Sequence, residues 1–555
     1  MFIILFGLFL IKLINADLIV ETSLGKIAGV EVKSILKDEK YYSFMGIPYA
    51  KPPVGDLRFL VILTYNLFDW ATQTKTCCSL LESHNLKKAD FFSIQYYSCI
   101  FQAPQSHEGW TDVLEAKKER KPCSQMNLPM RTLKRYGFSG QDDCLTLSIY
   151  TPKLPTSEEL NMPVIVHVNN EHFKVSHNAS KDFGPDFIVK EDVILVSINH
   201  RIGSIGFLAF NDEKLPGNNG IRDVIMALNW LKQNVDKFGG DPKRVTLMGV
   251  NGGAALVELL LHSKKAKGLF SNAILQSGTA WNPVYMPLNP REKATAFAKV
   301  LEKSAVTSDN LLAELSYLSS IDIVTHDSVS VDADESGRTQ MATIPFGPVV
   351  EPDHPDAIIT SLPDEGPIDI NIPVMIGYNS REGIGFNERF LRKPQYLTFA
   401  DRDFLMVIPI RAGFHFELNS NAYFRAIDEI KAFYFDEGYV KVSKPGEYLT
   451  YTADVLNFYP IDYAVRKYVN ESSSPIYYYT FDYSGELNMR KNEVLEDALT
   501  IEGVWGAATG DELCYLFVCK PIRKLYKKVL EDEDSEELKV IKNMVKLWTN
   551  FAKSG

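Results

Sequence analysis

Four short apolar runs punctuate the chain at residues 164–168, 193–198, 245–248 and 373–376, and they alternate with stretches of helical spacing. Alternating strand and helix signals of this kind predict an α/β fold. Near the N-terminus, residues 18–31 alternate apolar and polar positions around Gly25, the pattern of a hairpin. The sharpest junction follows the third run. Val245-Thr-Leu-Met248 passes through Gly249-Val-Asn251-Gly-Gly253 and continues with apolar residues at helical spacing, Leu256, Leu259 and Leu260. That junction reads as strand, tight turn and helix.

The 555 residues are 45% hydrophobic and 23% charged, an ordinary globular composition. A net charge of -11 disfavours nucleic acid and anionic membrane as partners. Residues 1–16 read as a secretory signal peptide: residues 2–11 are apolar, Lys12 is the sole charge, and Ile14-Asn-Ala16 ends on a small residue. The apolar run is shorter than the ~20 residues a membrane span needs, and no later segment reaches that length. The mature chain is therefore expected to begin near Asp17 and to be extracellular. Export permits disulfides. Of the seven cysteines, Cys77, Cys78 and Cys99 cluster, Cys514 and Cys519 lie near the C-terminus, and Cys123 and Cys144 bracket a short loop and are the expected pair. Asn178 and Asn470 begin glycosylation sequons.

Several ordered blocks resemble the type-B carboxylesterase/cholinesterase family. They are Tyr42-Ser-Phe-Met-Gly-Ile-Pro-Tyr-Ala-Lys-Pro-Pro-Val-Gly-Asp-Leu-Arg-Phe59, Gln141-Asp-Asp-Cys-Leu-Thr-Leu-Ser-Ile-Tyr-Thr-Pro152, Asn199-His-Arg-Ile-Gly-Ser-Ile-Gly-Phe-Leu208, Leu275-Gln-Ser-Gly278 and Asp511-Glu-Leu-Cys-Tyr-Leu-Phe517. The resemblance implies one α/β-hydrolase domain over residues 17–555, a mostly parallel sheet with helices on both faces. One segment does not fit. The family runs from the Leu-Arg-Phe ending of the first block into a Gln-Ala-Pro and a tryptophan. Here residues 60–101 intervene before Gln102-Ala-Pro104 and Trp110. The segment reads as a retained intron or another gene-model error, with a real surface insertion as the alternative; without it the cysteines number four. The closing block also resembles one that the family follows with a further segment, so a truncated C-terminus is expected.

The resemblance makes residues 249–253 a nucleophile elbow, the turn that presents a serine in α/β-hydrolases. Asn251 holds the serine's position. An amide is not a nucleophile, although asparagine tolerates the positive φ of such a turn. The family histidine stands two residues before Asp511, and this chain has Thr509 there, which takes no proton near neutral pH. The acidic position is kept as Glu382, whose expected role is structural, through hydrogen bonds to Thr509 or Asn251. The glycine run that supplies oxyanion donors is replaced by Asn169-Asn-Glu171-His172-Phe173, so the oxyanion-loop equivalents are Asn170, Glu171 and Gly252. Losing the serine or the histidine alone costs such a triad about 10⁶ in kcat. A metal reading of Glu171, His172 and His177 lacks helical spacing and gives way to a polar surface loop, and His262 reads as a helix end.

The chain is thus expected to be a secreted, catalytically inactive carboxylesterase-like protein that binds a protein partner. A binder of small apolar esters or lipids and a hydrolase with weak residual activity are the alternatives. No cofactor is expected, and the sequence leaves the oligomeric state open.

Overall fold

Side-chain alternation along two central strands sets the layering. On β6 (Met162–Asn170), Val164, Val166 and Val168 enter one core and Ile165 the other; on β8 (Gly240–Asn251), Val245 and Leu247 face the first core, and Met248 and Val250 the second. A strand apolar on both faces needs a helical layer on each side. A computed structural model supplies them. It describes residues 18–53, 101, 103–127, 137–156, 160–176, 182–287, 289–327, 344–368, 371–404, 406–408, 416–500 and 502–555.

The described residues form an 11-stranded sheet. Besides β6 and β8 it contains β1 (Leu18–Thr22), β2 (Gly25–Lys33), β3 (Lys40–Pro48), β4 (Leu114–Glu115), β5 (Thr146–Thr151), β7 (Ile194–Ile198), β9 (Asn272–Gln276), β10 (Val374–Asn379) and β11 (Ile476–Phe481). The strand order is β1-β2-β3-β5-β7-β6-β8-β9-β10-β11, with β4 beside β2. The first four of that order, and the junction of β5 with β7, are antiparallel. From β7 to β11 every pairing is parallel. Helices α1 (Asn219–Asn234) and α2 (Gly252–Leu261) pack in the first core. Further along the chain come α3 (Asn421–Tyr434), α4 (Pro445–Ala453), α5 (Tyr459–Glu471), α6 (Met489–Glu496) and α7 (Glu536–Ser554). The last of these seats Met544, Trp548 and Phe551 in the second core. The architecture is the mostly parallel α/β sheet with helices on both faces.

Two disulfides are formed, Cys123–Cys144 and Cys514–Cys519. The first closes a separation of 21 residues, a loop whose cross-link stabilises by about 3 kcal/mol in the chain-entropy account. Cys77, Cys78 and Cys99 lie outside the described residues, as do residues 1–17 and all of 60–100. Among the described residues no helix is long and apolar enough to cross a membrane.

Candidate functional site

The parallel register of β8 on β6 sets Asn251 beside Asn170 at the carboxyl ends of the central strands, the end where α/β folds place their ligands. Asn251 ends β8 at φ 57°, ψ -121°, and α2 begins at the next residue. Two glycines make so tight a turn possible. A Cβ on Gly249 would stand 2.2 Å from the Gly253 carbonyl oxygen, and one on Gly253 would stand 2.3 Å from that of Val168. The residues of α2 are buried, and His262 closes the helix with Nδ1 2.9 Å from the Pro367 oxygen.

The Asn251 side chain is 6% exposed. Its Oδ1 accepts a hydrogen bond of 3.1 Å from the Tyr285 hydroxyl. The same hydroxyl lies 3.1 Å from His172 Nδ1. A phenol has one proton. With that proton directed to Asn251, His172 must donate from Nδ1, which fixes its tautomer. Burial holds the imidazole below its ordinary pKa, so it is neutral near pH 7. Its ring rests against Tyr285 at 5.8 Å and Phe386 at 5.3 Å. The surface-loop reading of this segment is thereby corrected: His172 turns inward onto aromatic rings, while Phe173, wholly buried, packs edge-on against Phe207 and Tyr285. His177 lies outside the described residues.

Residues 170–175 fold back on themselves. The Glu171 N–H donates to the Val175 oxygen at 2.7 Å, and the N–H groups of Lys174 and Val175 donate to the Glu171 oxygen at 3.0 and 3.2 Å. The Phe173 N–H donates to Asn170 Oδ1 at 2.7 Å. Four backbone donors of residues 171–175 are therefore occupied within the segment, and Glu171, one of the expected oxyanion-loop equivalents, is among them. His172 and Phe173 both take positive φ, 52° and 58°. Asn170 is held from its other side by His200, 3.1 Å away. Gly252 lies against this loop; a Cβ there would meet Asn170 Oδ1 at 2.8 Å. The negative charge of Glu171 does not stand alone: it pairs with Arg490 of α6 at 2.6 Å.

Glu382 is completely buried. The Asn379 N–H donates to its Oε1 at 2.7 Å, and the Thr509 hydroxyl donates to Oε2. Removal from water raises its pKa from 4.5 to about 8. Glu512, also completely buried, accepts from Gln276 Nε2 at 2.9 Å and from Asn379 Nδ2, and desolvation raises it to about 7. Trp548 Nε1 donates to Gln276 at 3.3 Å, extending the network to α7.

Asn251, Thr509 and Glu171 share the wall of a cavity of about 90 Å³, with Phe183, Val250 and Leu513 as its apolar side. A pocket that encloses a drug-sized ligand has about 300–1,000 Å³. Asn470 is exposed near the end of α5, and Asn178 lies outside the described residues. Tyr285, His200 and Arg490 complete the site. Tyr285 and Arg490 belong to no motif, whereas His200 stands in the block at residues 199–208, whose letters do not reveal that it meets Asn170.

The sequence pattern of the carboxylesterase family matches residues 16–64 and 98–555. Juvenile hormone esterase of Tribolium castaneum is 28% identical over 545 residues, 96% of this chain and 83% of its own length. Esterase FE4 of Myzus persicae is 27% identical over 548 residues, 97% and 84%. The crystal structure of juvenile hormone esterase from Manduca sexta, with OTFP covalently attached, superposes with a TM-score of 0.75 at 24% identity, covering 97% of this chain and 90% of that one. With the family pattern matched along nearly the whole chain and the sheet built to the same plan, this protein belongs to the carboxylesterase family.

Proposed function

We propose that the chain is a secreted member of the carboxylesterase family that does not turn esters over and acts by binding a protein partner. The observation that carries this reading is the engagement of Asn251. The elbow presents an amide where an acyl-enzyme would need a hydroxyl, and Tyr285 is hydrogen-bonded to it. Acyl transfer also needs a base to take the nucleophile's proton and donors for the oxyanion. Thr509 is hydrogen-bonded to Glu382, and the loop at residues 170–175 bonds four of its N–H groups internally. Glu382, whose pKa is raised by burial to about 8, joins β10 to the Thr509 loop through its hydrogen bonds with Asn379 and Thr509. The relatives' names describe esterases; this chain keeps their scaffold and replaces the groups that would react.

Secretion is supported by the apolar leader, the two disulfides and the exposed sequon at Asn470. The domain is proposed to run from residue 17 to 555, with the segment around 60–101 foreign to it; the family match pauses over residues 65–97. A cavity of about 90 Å³ is too small for a long-chain ester or lipid, which favours a partner on the surface. The test is a fluorophosphonate probe on the purified protein, beside turnover of short aryl esters. Absence of both labelling and turnover is expected; stoichiometric labelling would overturn the reading.

A further inference from the structure

A second concave site lies at the edge of the sheet, away from Asn251. It is a groove of about 310 Å³ lined by Tyr378, Tyr434, Phe458, Tyr459 and Tyr478, together with Asp454, Val455 and Asp462. Its floor is an irregularity in one long helix. Between α4 and α5, residues Asp454–Phe458 form a π turn, a feature that recurs at functional sites. Its cause is local. Pro460 has no N–H to give to Leu456 four residues earlier, and the freed carbonyl accepts from Asn282 Nδ2 instead. Asn457, in the same turn, donates to the Ser277 oxygen at 3.1 Å. The turn is thus fastened to the segment after β9, and it holds Asp454 and Phe458 at the groove.

The chemistry of the lining is specific. Tyr378 packs on Phe458 at 4.4 Å and edge-on to Tyr478 at 5.9 Å. Tyr378 and Phe458 lie largely face to face and Tyr478 meets Tyr378 at an edge, so the three rings form one packed aromatic wall near Asp454. Asp454 accepts from the Tyr434 hydroxyl at 2.9 Å and has no cation within ion-pair distance among the described residues. Asp462 is paired with Arg466 at 2.7 Å, a cation that also lies within electrostatic reach of Tyr459 and Tyr478. Burial raises the pKa of Asp454, as expected of a carboxylate drawn from water without a counter-charge. An aromatic wall beside an uncompensated carboxylate suits a cation carried on an apolar stem. Around the mouth, Phe433 is 80% exposed and packs on Tyr434 at 4.9 Å, while Tyr459 and Tyr463 lie 6.3 Å apart with large parts of their rings in water. A free amine would leave that rim wet, whereas a protein face would cover it.

We propose that this groove receives a lysine or arginine side chain of a protein partner, its stem against the wall of Tyr378, Phe458 and Tyr478 and its charge at the Asp454 carboxylate. The proposal rests on the protein-binding reading above and gives that partner a chemistry. The full chain is titrated with acetyl-Gly-Lys-Gly-amide and acetyl-Gly-Arg-Gly-amide by ligand-observed NMR. Acetyl-Gly-Gln-Gly-amide is the neutral control, and tetramethylammonium stands for a free amine. Saturable binding of the two cationic peptides is expected, with the glutamine peptide about tenfold weaker. Asp454→Asn should weaken the cationic peptides by about tenfold and Tyr478→Thr by severalfold, with melting temperature unchanged. The proposal is overturned by absence of saturation, by equal binding of the glutamine peptide, by binding that survives both variants, or by tetramethylammonium saturating where the peptides do not. Probe labelling on the same preparation separates the two readings. Labelling with intact peptide binding removes the inert reading and keeps the groove; neither labelling nor peptide binding does the reverse.

Discussion

The elbow at Gly249–Gly253 and the loop at residues 170–175 lie side by side, yet they answer to different constraints. At the elbow the backbone leaves no choice. Gly249 meets Gly253, Gly253 meets Val168, and a Cβ on Gly278 would stand 2.2 Å from the Asn251 oxygen. Strand, helix and the next strand's end cross within contact distance, so the fold itself demands the turn whatever side chain stands at 251. The loop is different. It continues past the end of β6, and its own residues provide its hydrogen bonds. Only chemistry would require glycines and free N–H groups there. On the proposed reading, in which the chain no longer turns esters over, the first feature is kept and the second is rewritten. The shape of an elbow is therefore evidence of fold, and the loop beside it is evidence of function.

Repair is the strongest way to break that contrast. Asn251→Ser combined with Thr509→His puts serine and histidine at the two positions proposed for the reacting groups and leaves the loop as it is. A missing oxyanion donor costs about 10²–10³ in kcat, or about 2.7–4 kcal/mol. The double variant is accordingly expected to hydrolyse short aryl esters at least about 10²-fold more slowly than an intact family member. Replacing residues 169–173 by a glycine-rich loop as well should recover most of the difference. Rates near those of the family in the double variant alone, measured as kcat/KM, would show that the loop matters less than its hydrogen bonds imply.

The same contrast explains what could be read from the sequence. The parallel core was legible because β6 and β8 are apolar on both faces, and the elbow was legible because its glycines are spaced by the geometry they serve. Asn251, Glu382 and Thr509 each sit inside a recognisable block, and the structure brings Thr509 onto Glu382. Tyr285 could not, since its bond to Asn251 spans 34 positions and depends on how the segment after β9 returns over the elbow. The inward turn of His172 was likewise hidden. Its polar letters suggested solvent, and only the placement of Tyr285 and Phe386 makes an aromatic bed for it. The pairing of Glu171 is hidden for a similar reason, because its partner Arg490 is 319 positions away.

The acidic network offers a smaller effect, readable in pH. Glu382 and Glu512 are raised by burial from 4.5 to about 8 and about 7. Between those limits the folded protein keeps protons that the unfolded chain has released, so their stabilising contribution is complete below pH 4.5 and is lost as pH rises through 7 and 8. The buried histidines act in the opposite sense but lower down. His167 and His200 are pushed from 6.5 to about 4, and they remove stability only as pH falls below 6.5. Above pH 6.5 the carboxyl groups are left to dominate. Stability is expected to fall from there to just above pH 8 by on the order of 2 kcal/mol. Glu382→Gln should flatten the slope, as followed by urea unfolding at each pH. An unchanged slope would mean that Glu382 is already ionised at neutrality and solvated in spite of its burial.

The smallest effect tests the elbow's new partner directly. If the Tyr285 hydroxyl serves only to fill space, Tyr285→Phe is nearly neutral and independent of what stands at position 251. If it joins His172 to Asn251, the substitution strands a buried donor and a buried acceptor together, at a cost of about 1–3 kcal/mol. Asn251 lines a cavity, so water can replace part of its loss, which places the expectation toward the lower end. A double-mutant cycle isolates the pair. Tyr285→Phe and Asn251→Ala should each destabilise, and the double variant should fall short of their sum by about 1 kcal/mol. Additive effects would separate the two residues energetically, and Asn251 would then owe its place to the positive φ of the turn alone.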